Sequence, residues 1–526
     1  MKILKAREAA ELVKDGDCIV TDGFVCSCCP ETLTIALEKR FLETGKPINL
    51  NLMYAAAQGN QKGKGADHFA HEGMIKRVVG GHYNMSPALG KLAVENKIEA
   101  YNLPQGTLAQ LMRDIAGKRV GTITHVGLNT FVDPRIEGGK LNDITTEDIV
   151  KVIEIEGEEK LLYKSFPINI CFLRGTYADG NGNITLEREV ATLESTSIAQ
   201  ATKNCGGIVV VQVEKVVANG SLDPRLVKIP GIYVNYVVVS SPEEHEQCFG
   251  VEYNPACTGE IKASMDSIEN TPLDGRKIIA RRAAFELEAN SVVNLGIGIP
   301  EVISAVASEE GICDYMTLTV EAGAVGGVPL GGSAFGASVN PQAILDQAYQ
   351  FDFYDGGGVD LAFLGLAQVD KEGNLNVSKF GTRIAGCGGF INITQNAKKV
   401  MFCGTFTTQG LKEEVKDGKL VIKQEGKMVK FIEKVQQITF SGKYARKVNQ
   451  PVMYITERAV FELKKDGLYL TEIAPGIDLQ NDVLDLMDFK PKMDGTPKLM
   501  DERIFYDRPM GLKDITSQLK EVHIGK

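Results

Sequence analysis

Short apolar runs alternate along the chain with longer stretches in which apolar residues recur at helical spacing, which predicts strands threaded between amphipathic helices. Near the start, Arg7–Val13 reads as a helix, Gly16-Asp17 as a break and Cys18-Ile19-Val20 as a strand. A glycine loop then ends in Pro30-Glu31, ahead of a second helical stretch, Leu33–Phe41. The same order returns in the second half: helix over Lys277–Glu288, strand over Val292–Leu295, loop Gly296-Ile297-Gly298-Ile299, and Pro300-Glu301 opening the next helix. Proline at a helix's first position gives up no backbone hydrogen bond, so both Pro-Glu pairs suit helix starts.

A second pair of segments echoes in the same order. The run Cys171–Asp179 leads to Gly182-Asn183-Ile184, and Ala362–Asp370 leads to Gly373-Asn374-Leu375; each predicts a strand, a Gly-Asn turn and a short returning strand. Further apolar runs, Ile208–Val213 and Tyr233–Ser240, suit strands covered on both faces of a sheet. The repeat therefore predicts two pseudo-equivalent open, Rossmann-like α/β domains, residues 1–240 and 276–526. Residues 241–275 are rich in Glu, Pro, Ser and Asn without an apolar period and read as an extended linker. Paired domains of this kind are expected to take ligands at their shared cleft, outside the carboxyl ends of the strands.

Composition narrows the function classes. At 526 residues the chain exceeds a single ordinary core, and 44% hydrophobic with 24% charged residues is normal for a soluble globular protein. A net charge of -10 argues against nucleic acid as the main partner. Met1 leads into a polar, helix-like segment, Lys2–Ala10, no signal peptide precedes it, and no apolar run would span a bilayer; a cytoplasmic protein without a membrane partner is expected. The eleven cysteines are an odd number set mostly in apolar stretches, as reduced buried thiols would be. Cys26, Cys28 and Cys29 lack the CxxC or HxxxH spacing of a metal site, and the six histidines are scattered, so packing in a tight strand-to-helix loop is the reading and no metal is expected.

The most informative stretch follows Met316–Val320. It runs Glu321-Ala322-Gly323-Ala324-Val325-Gly326-Gly327-Val328-Pro329-Leu330-Gly331-Gly332, so a strand delivers one carboxylate to a loop with almost no side chains around it. Such loops let a bulky ligand approach the backbone. Taken alone, Glu-Ala-Gly reads first as a turn cap. The chain has no GxxxxGK[ST], and its GxGxP loop lacks the third glycine of a dinucleotide fingerprint.

The motif order resembles the family I coenzyme A-transferases, most closely those acting on propionate or lactate. The resemblance spans nearly the whole chain: Ala100–Thr107, Arg174–Asp179, Gly296-Ile297-Gly298, Tyr349–Gly358, Gly386-Cys387-Gly388-Gly389-Phe390 and Ile473–Asp478. It implies the CoA-transferase type of fold, with Glu321 of the C-terminal domain as a nucleophile that carries CoA, and ping-pong exchange between short-chain acyl-CoA and acids such as acetate, propionate, butyrate, lactate or acrylate. Ala322 departs from the Ser or Asn common at that position. The backbone amides of Ile297 and Gly388 are the implied oxyanion donors, although Gly388 by itself also suits a plain tight turn. Gly296, Gly298, Gly386 and Gly389 fall in the same two implied CoA- and substrate-binding loops. Gln58 is a candidate for orienting the acid's carboxylate or, alternatively, a solvent-facing loop amide, and Gln105 stands likewise. Lys412 could meet a CoA phosphate, though a solvated lysine is the simpler reading. His82 and His125 are left out, because the implied chemistry moves no proton that needs them. No cofactor is implied, CoA being a substrate, and the family suggests a homo-oligomer, a tetramer in the first place. An acyl-CoA hydrolase on the same scaffold and a non-catalytic ligand-sensing α/β protein are the competing functions.

Overall fold

The structure, a computed structural model, describes residues 2–264 and 271–514. The chain forms two compact units, neither contiguous in sequence: Met1–Ala263 with Val320–Phe353 and Ser378–Asn392, and Ser264–Thr319 with Tyr354–Val377 and Ile393–Lys526.

The first unit is built on eight parallel strands in the spatial order Lys2–Leu4, Tyr236–Val239, Ile208–Val217, Ile170–Asp179, Cys18–Thr21, Leu50–Tyr54, Ile75–Gly80 and Glu99–Asn102. Parallel strands covered on both faces need apolar side chains on both, and Cys171, Phe172, Leu173, Val209, Val210 and Val211 are all 0% exposed. On one face Leu33 and Leu37, one turn apart on the helix Glu31–Thr44, close the core with Ala9, Ala10 and Leu89. Full burial of each leucine contributes roughly 1.5–3 kcal/mol. A three-stranded antiparallel sheet, Gly121–Thr124, Glu158–Lys164 and Val150–Ile155, was not foreseen from the pattern.

Two expectations for this unit are corrected. Lys2–Leu4, expected at the head of a helical segment, is a strand that pairs with Tyr236–Val238, and the helix is confined to Ala6–Ala10. A free sheet edge offers the terminal residues hydrogen bonds that local propensity does not register. Residues 241–275 are not an extended linker as far as they are described, 265–270 lying outside the described residues. Cys248, Phe249 and Cys257 are buried, and the Phe249 N–H donates to the Cys26 carbonyl at 2.9 Å. Burial without a period leaves no trace in a periodicity reading.

In the second unit Thr317–Thr319, Val292–Leu295, Leu361–Gly365, Lys399–Cys403 and Val452–Ile455 run parallel in that order. Ala459–Lys464 and Gly467–Ile473 continue the sheet antiparallel.

The internal echo holds at the level of atoms. Ile184 pairs antiparallel with Ala178, and Leu375 with Val369. Asp179 Oδ1 accepts the N–H groups of Asn181 and Asn183, both at 3.0 Å, and Asp370 Oδ1 accepts those of Glu372 and Asn374, both at 3.0 Å. Each unit thus carries the same Asp-closed turn, with a positive-φ glycine, Gly182 or Gly373, at its corner.

Candidate active site

Glu321 follows directly on the strand Thr317–Thr319 and Val320, and it is the second residue of a tight turn. The Gly323 N–H donates to the Val320 carbonyl at 3.0 Å, and the Val320 N–H donates to the Ala324 carbonyl at 2.9 Å. Gly323 has φ +127°, and a Cβ there would stand 2.0 Å from the Leu345 carbonyl oxygen, so only glycine closes the turn. Beyond it Ala324–Val325 pairs with Ala343–Ile344, and Val328–Pro329 with Ser338–Val339. Ala324–Val325 and Ala343–Ile344 extend the edge of the sheet that holds Thr317–Thr319 and Val292–Leu295, so the turn stands at the root of a hairpin on that sheet.

That hairpin packs on the cysteine loop. Val320, Ala322, Ala324, Phe335 and Ala337 share one apolar cluster with Phe24, Cys26, Cys28, Cys29, Cys248 and Phe249. The Phe24 and Phe335 rings stack at 5.9 Å, and a Cβ on Gly336 would meet the Phe24 ring at 2.5 Å. Val25 and Cys28 adopt left-handed φ of 54° and 59°, and Val25, for which as a β-branched residue this is rare, is held there by its N–H donating to the Ala57 carbonyl and by the Gly59 N–H donating to its own carbonyl. Burial raises the Cys26 thiol to about 11 and lifts those of Cys28 and Cys29 well above the ordinary thiol value, so all three stay protonated and unreactive near neutrality. Among the described residues no group of three or more His, Cys, Asp or Glu side chains is arranged to hold a metal ion.

Gln58 is buried, not solvent-facing. Its Oε1 accepts from the Thr21 hydroxyl at 2.9 Å and its Nε2 donates to the Thr21 carbonyl at 3.0 Å, so both ends of the amide are engaged in joining adjacent strand ends. Gln105, the first residue of the helix Gln105–Ala116, is buried with its Nε2 unpaired among the described residues. Its Oε1 lies 3.6 Å from where a Cβ on Gly388 would stand.

The expectation that the Gly388 amide serves an oxyanion needs correction. The Gly388 N–H donates to the Gly81 carbonyl at 2.7 Å, and the Gly388 carbonyl accepts from the Gln105 N–H at 2.9 Å, so the donor is already engaged. Gly388 (φ +50°) and Gly386 (φ +92°) give the loop its path, and a Cβ on Gly386 would meet His82 Cα at 2.7 Å. Asn102 fixes this loop: its Oδ1 accepts from the Cys387 N–H and its Nδ2 donates to the Gly80 and Gly81 carbonyls. It stands inside the segment Ala100–Thr107, where an Asn before Leu-Pro-Gln is the available signal. Gly389 directly precedes the helix Phe390–Asn396. His82 Nδ1 is unpaired among the described residues; burial and the nearby Arg383 lower its pKa to about 4, which keeps the ring neutral.

Ile297, Gly296, Gly298 and Lys412 belong to the second unit. Gly296 donates its N–H to the Phe363 carbonyl at 2.8 Å, and Gly298 has φ +91°. Ile297 is 58% exposed in this loop. Lys412 is exposed on the antiparallel hairpin Lys412–Lys416 and Lys419–Gln424.

A carboxylate–imidazole chain braces the loop that carries Gln58. His68 contacts Glu38 through Nδ1 at 2.6 Å and Glu31 through Nε2 at 2.9 Å, while Glu31 also accepts the Gly65 N–H at 3.1 Å. Burial opposes the charge on His68, but Glu31 and Glu38 outweigh it and raise its pKa. A group whose pKa is raised on folding contributes stability that is complete below the unfolded value, about 6.5, and lost as pH climbs through the folded one. The melting temperature is therefore expected to fall as pH rises above about 6.5, and His68→Gln to flatten that slope. Identical slopes for both proteins in a pH series of thermal melts would refute the assignment.

Residues 3–240 match the family model for coenzyme A transferase. The chain is 46% identical to the caffeate CoA-transferase of Acetobacterium woodii over 98% of this chain and 99% of that protein. It is likewise 46% identical to the acetate CoA-transferase YdiF of Escherichia coli (strain K12) over 97% and 96% of the two chains. The crystal structure of the acyl-CoA transferase YdiF apoenzyme from Escherichia coli O157:H7 superposes with a TM-score of 0.92 at 45% identity, covering 97% of each chain. No helix among the described residues is long and apolar enough to cross a membrane. With near-complete coverage at this identity, and with the motif order read from the sequence, the chain belongs to the family I coenzyme A-transferases.

Proposed function

We propose that this transferase exchanges CoA between short-chain acyl-CoA thioesters and short-chain carboxylates in a ping-pong cycle carried by Glu321. The observation that supports the reading most is the Val320–Gly323 turn, which holds one carboxylate-bearing residue at a strand end among alanines and glycines. Relatives named acetate and caffeate CoA-transferase, and a YdiF structure described as a thioester complex with CoA, fit it.

In the first step a Glu321 carboxylate oxygen attacks the acyl-CoA carbonyl, the carbon–sulfur bond breaks, and CoA thiolate leaves behind an acyl-glutamyl anhydride. The thiolate then attacks the glutamyl carbonyl, giving glutamyl-CoA and the first free acid. The second acid reverses both steps. Charge and atoms balance throughout, so CoA is a substrate and no redox or metal cofactor enters the proposal. Carboxylates are weak nucleophiles, and holding the reacting groups in line can supply roughly 7–11 kcal/mol. The unpaired Gln105 amide beside Gly388 supplies a donor for a carboxylate or oxyanion where the Gly388 N–H is engaged. A cytoplasmic homotetramer completes the proposal, the assembly being checked by light scattering.

The test is incubation with propionyl-CoA without acceptor, followed by digestion and mass spectrometry, and then a panel of acids that includes acetate, propionate, lactate and caffeate. Adduct on the Glu321 peptide with parallel double-reciprocal lines is expected. Turnover independent of any added acid would mean a hydrolase; binding without turnover would mean a sensing protein. Preference for caffeate over every short acid would overturn the substrate class.

A further inference from the structure

The Val320 carbonyl accepts a second hydrogen bond besides that from Gly323. Gln350 Nε2 donates to it at 3.3 Å, and Gln350 is 1% exposed. A carbonyl oxygen has two lone pairs, so the two donors do not compete. Gln350 projects from the helix Gln347–Asp355, whose own start is fixed. The Gln347 N–H donates to the Leu193 carbonyl at 2.9 Å, the Gln350 N–H donates to the Asp346 carbonyl at 3.1 Å, and Asp346 Oδ1 accepts from the Thr192 hydroxyl at 2.6 Å and from Lys228 Nζ at 3.0 Å. On the far side of the turn, the Leu345 N–H donates to the Gly323 carbonyl at 2.9 Å. One short segment, Leu345 to Gln350, therefore grips the turn at both Val320 and Gly323, the two residues that flank Glu321-Ala322.

We propose that Gln350 is a positioning residue: its side-chain N–H holds the Val320 carbonyl and so fixes the direction in which the adjoining Glu321 is presented. The role rests on Glu321 being the nucleophile. A backbone carbonyl set by one bond can pivot about that bond, whereas two donors from different directions remove the pivot. Because Val320 and Glu321 share a peptide plane, rotation of that carbonyl turns the Glu321 Cα–Cβ direction with it. A displacement near 1 Å at the carboxylate can cost about 10²-fold in rate without changing how substrate binds.

Gln350→Leu keeps the volume and removes the donor. It is expected to lower kcat by about tenfold to 10²-fold while KM for propionyl-CoA stays within about threefold. The Glu321 adduct should still form, more slowly in a quench-flow time course, with the thermal midpoint little changed. Gln350→Glu gives a reading that packing alone would not produce. Its carboxylate cannot donate to Val320, but its protonated form can, and burial raises the carboxyl pKa. The ratio of variant to unaltered kcat should therefore rise as pH falls. Turnover of Gln350→Leu within about twofold of the unaltered enzyme would overturn the role. So would losses in both variants that track only the folded fraction, with a pH-independent ratio. If the unaltered enzyme forms no adduct on Glu321, the nucleophile reading itself fails, and the role of Gln350 falls with it.

Discussion

Replacing Glu321 with alanine is expected to remove CoA exchange by a factor on the order of 10⁵ or more, the lower end of what a well-held intramolecular nucleophile contributes. The fold should survive, because the bonds that close the turn run between backbone groups of Val320, Gly323, Ala324 and Leu345 and do not use the carboxylate. Glu321→Asp keeps the charge but withdraws the carboxylate by one methylene, more than ~1 Å by ordinary bond lengths. With Gly323 unable to accept a side chain and Leu345 fixed behind it, the backbone cannot advance to compensate. Loss of about 10²-fold in kcat or more is expected for the aspartate variant. The measurements are exchange kinetics with propionyl-CoA and acetate, adduct detection by mass spectrometry, and a thermal melt. An aspartate variant as active as the unaltered enzyme would show that charge alone matters and would end the covalent role. An alanine variant inactive only through failure to fold would leave Glu321 as a turn cap.

How much of this was legible beforehand divides along physical lines. The strand read over Ile208–Val213, which runs on to Val217, and the paired Asp-closed turns were readable because period and turn chemistry are local properties. The strand that runs into a tight glycine turn at Glu321 was readable because that too is a local pattern. What failed was long-range. The burial of Cys248 and Phe249 and the pairing of Lys2–Leu4 each depend on partners far along the chain. Gly388 shows the limit most sharply. Its loop was recognisable, but whether its N–H faces a ligand or the Gly81 carbonyl is a matter of one dihedral, and composition does not encode that. Gln350, within Tyr349–Gly358, carries no sequence signal of its own, because a buried glutamine and a solvated one look alike in sequence.

Arg174 makes the second large prediction, one of stability. It lies on the central strand Ile170–Asp179, only 4% exposed, and its Nε donates to Glu189 Oε1 at 3.0 Å. Its other nitrogens donate to the Glu246 carbonyl at 2.7 Å and the His245 carbonyl at 3.2 Å, so it also pins the segment that leads to Cys248 and Phe249. Among the described residues the other ion-pair partner of Glu189 is His245, whose Nε2 is 3.7 Å away, but burial and then Arg174 itself depress that imidazole to about 2, leaving it uncharged. Arg174→Met would strand the Glu189 carboxylate in an apolar interior, which typically costs about 3–5 kcal/mol. The thermal midpoint is expected to drop by roughly 5–10 °C. Adding Glu189→Leu should recover much of that, since replacing both partners of a buried pair by apolar groups is often close to neutral. Recovery of activity should lag behind recovery of stability, because the His245 and Glu246 carbonyls stay without their donor while Cys248 and Phe249 pack in the cluster that contains Ala322. A double variant no more stable than Arg174→Met, or a single variant that loses less than about 1 kcal/mol, would show that the pair is not what holds this segment in place.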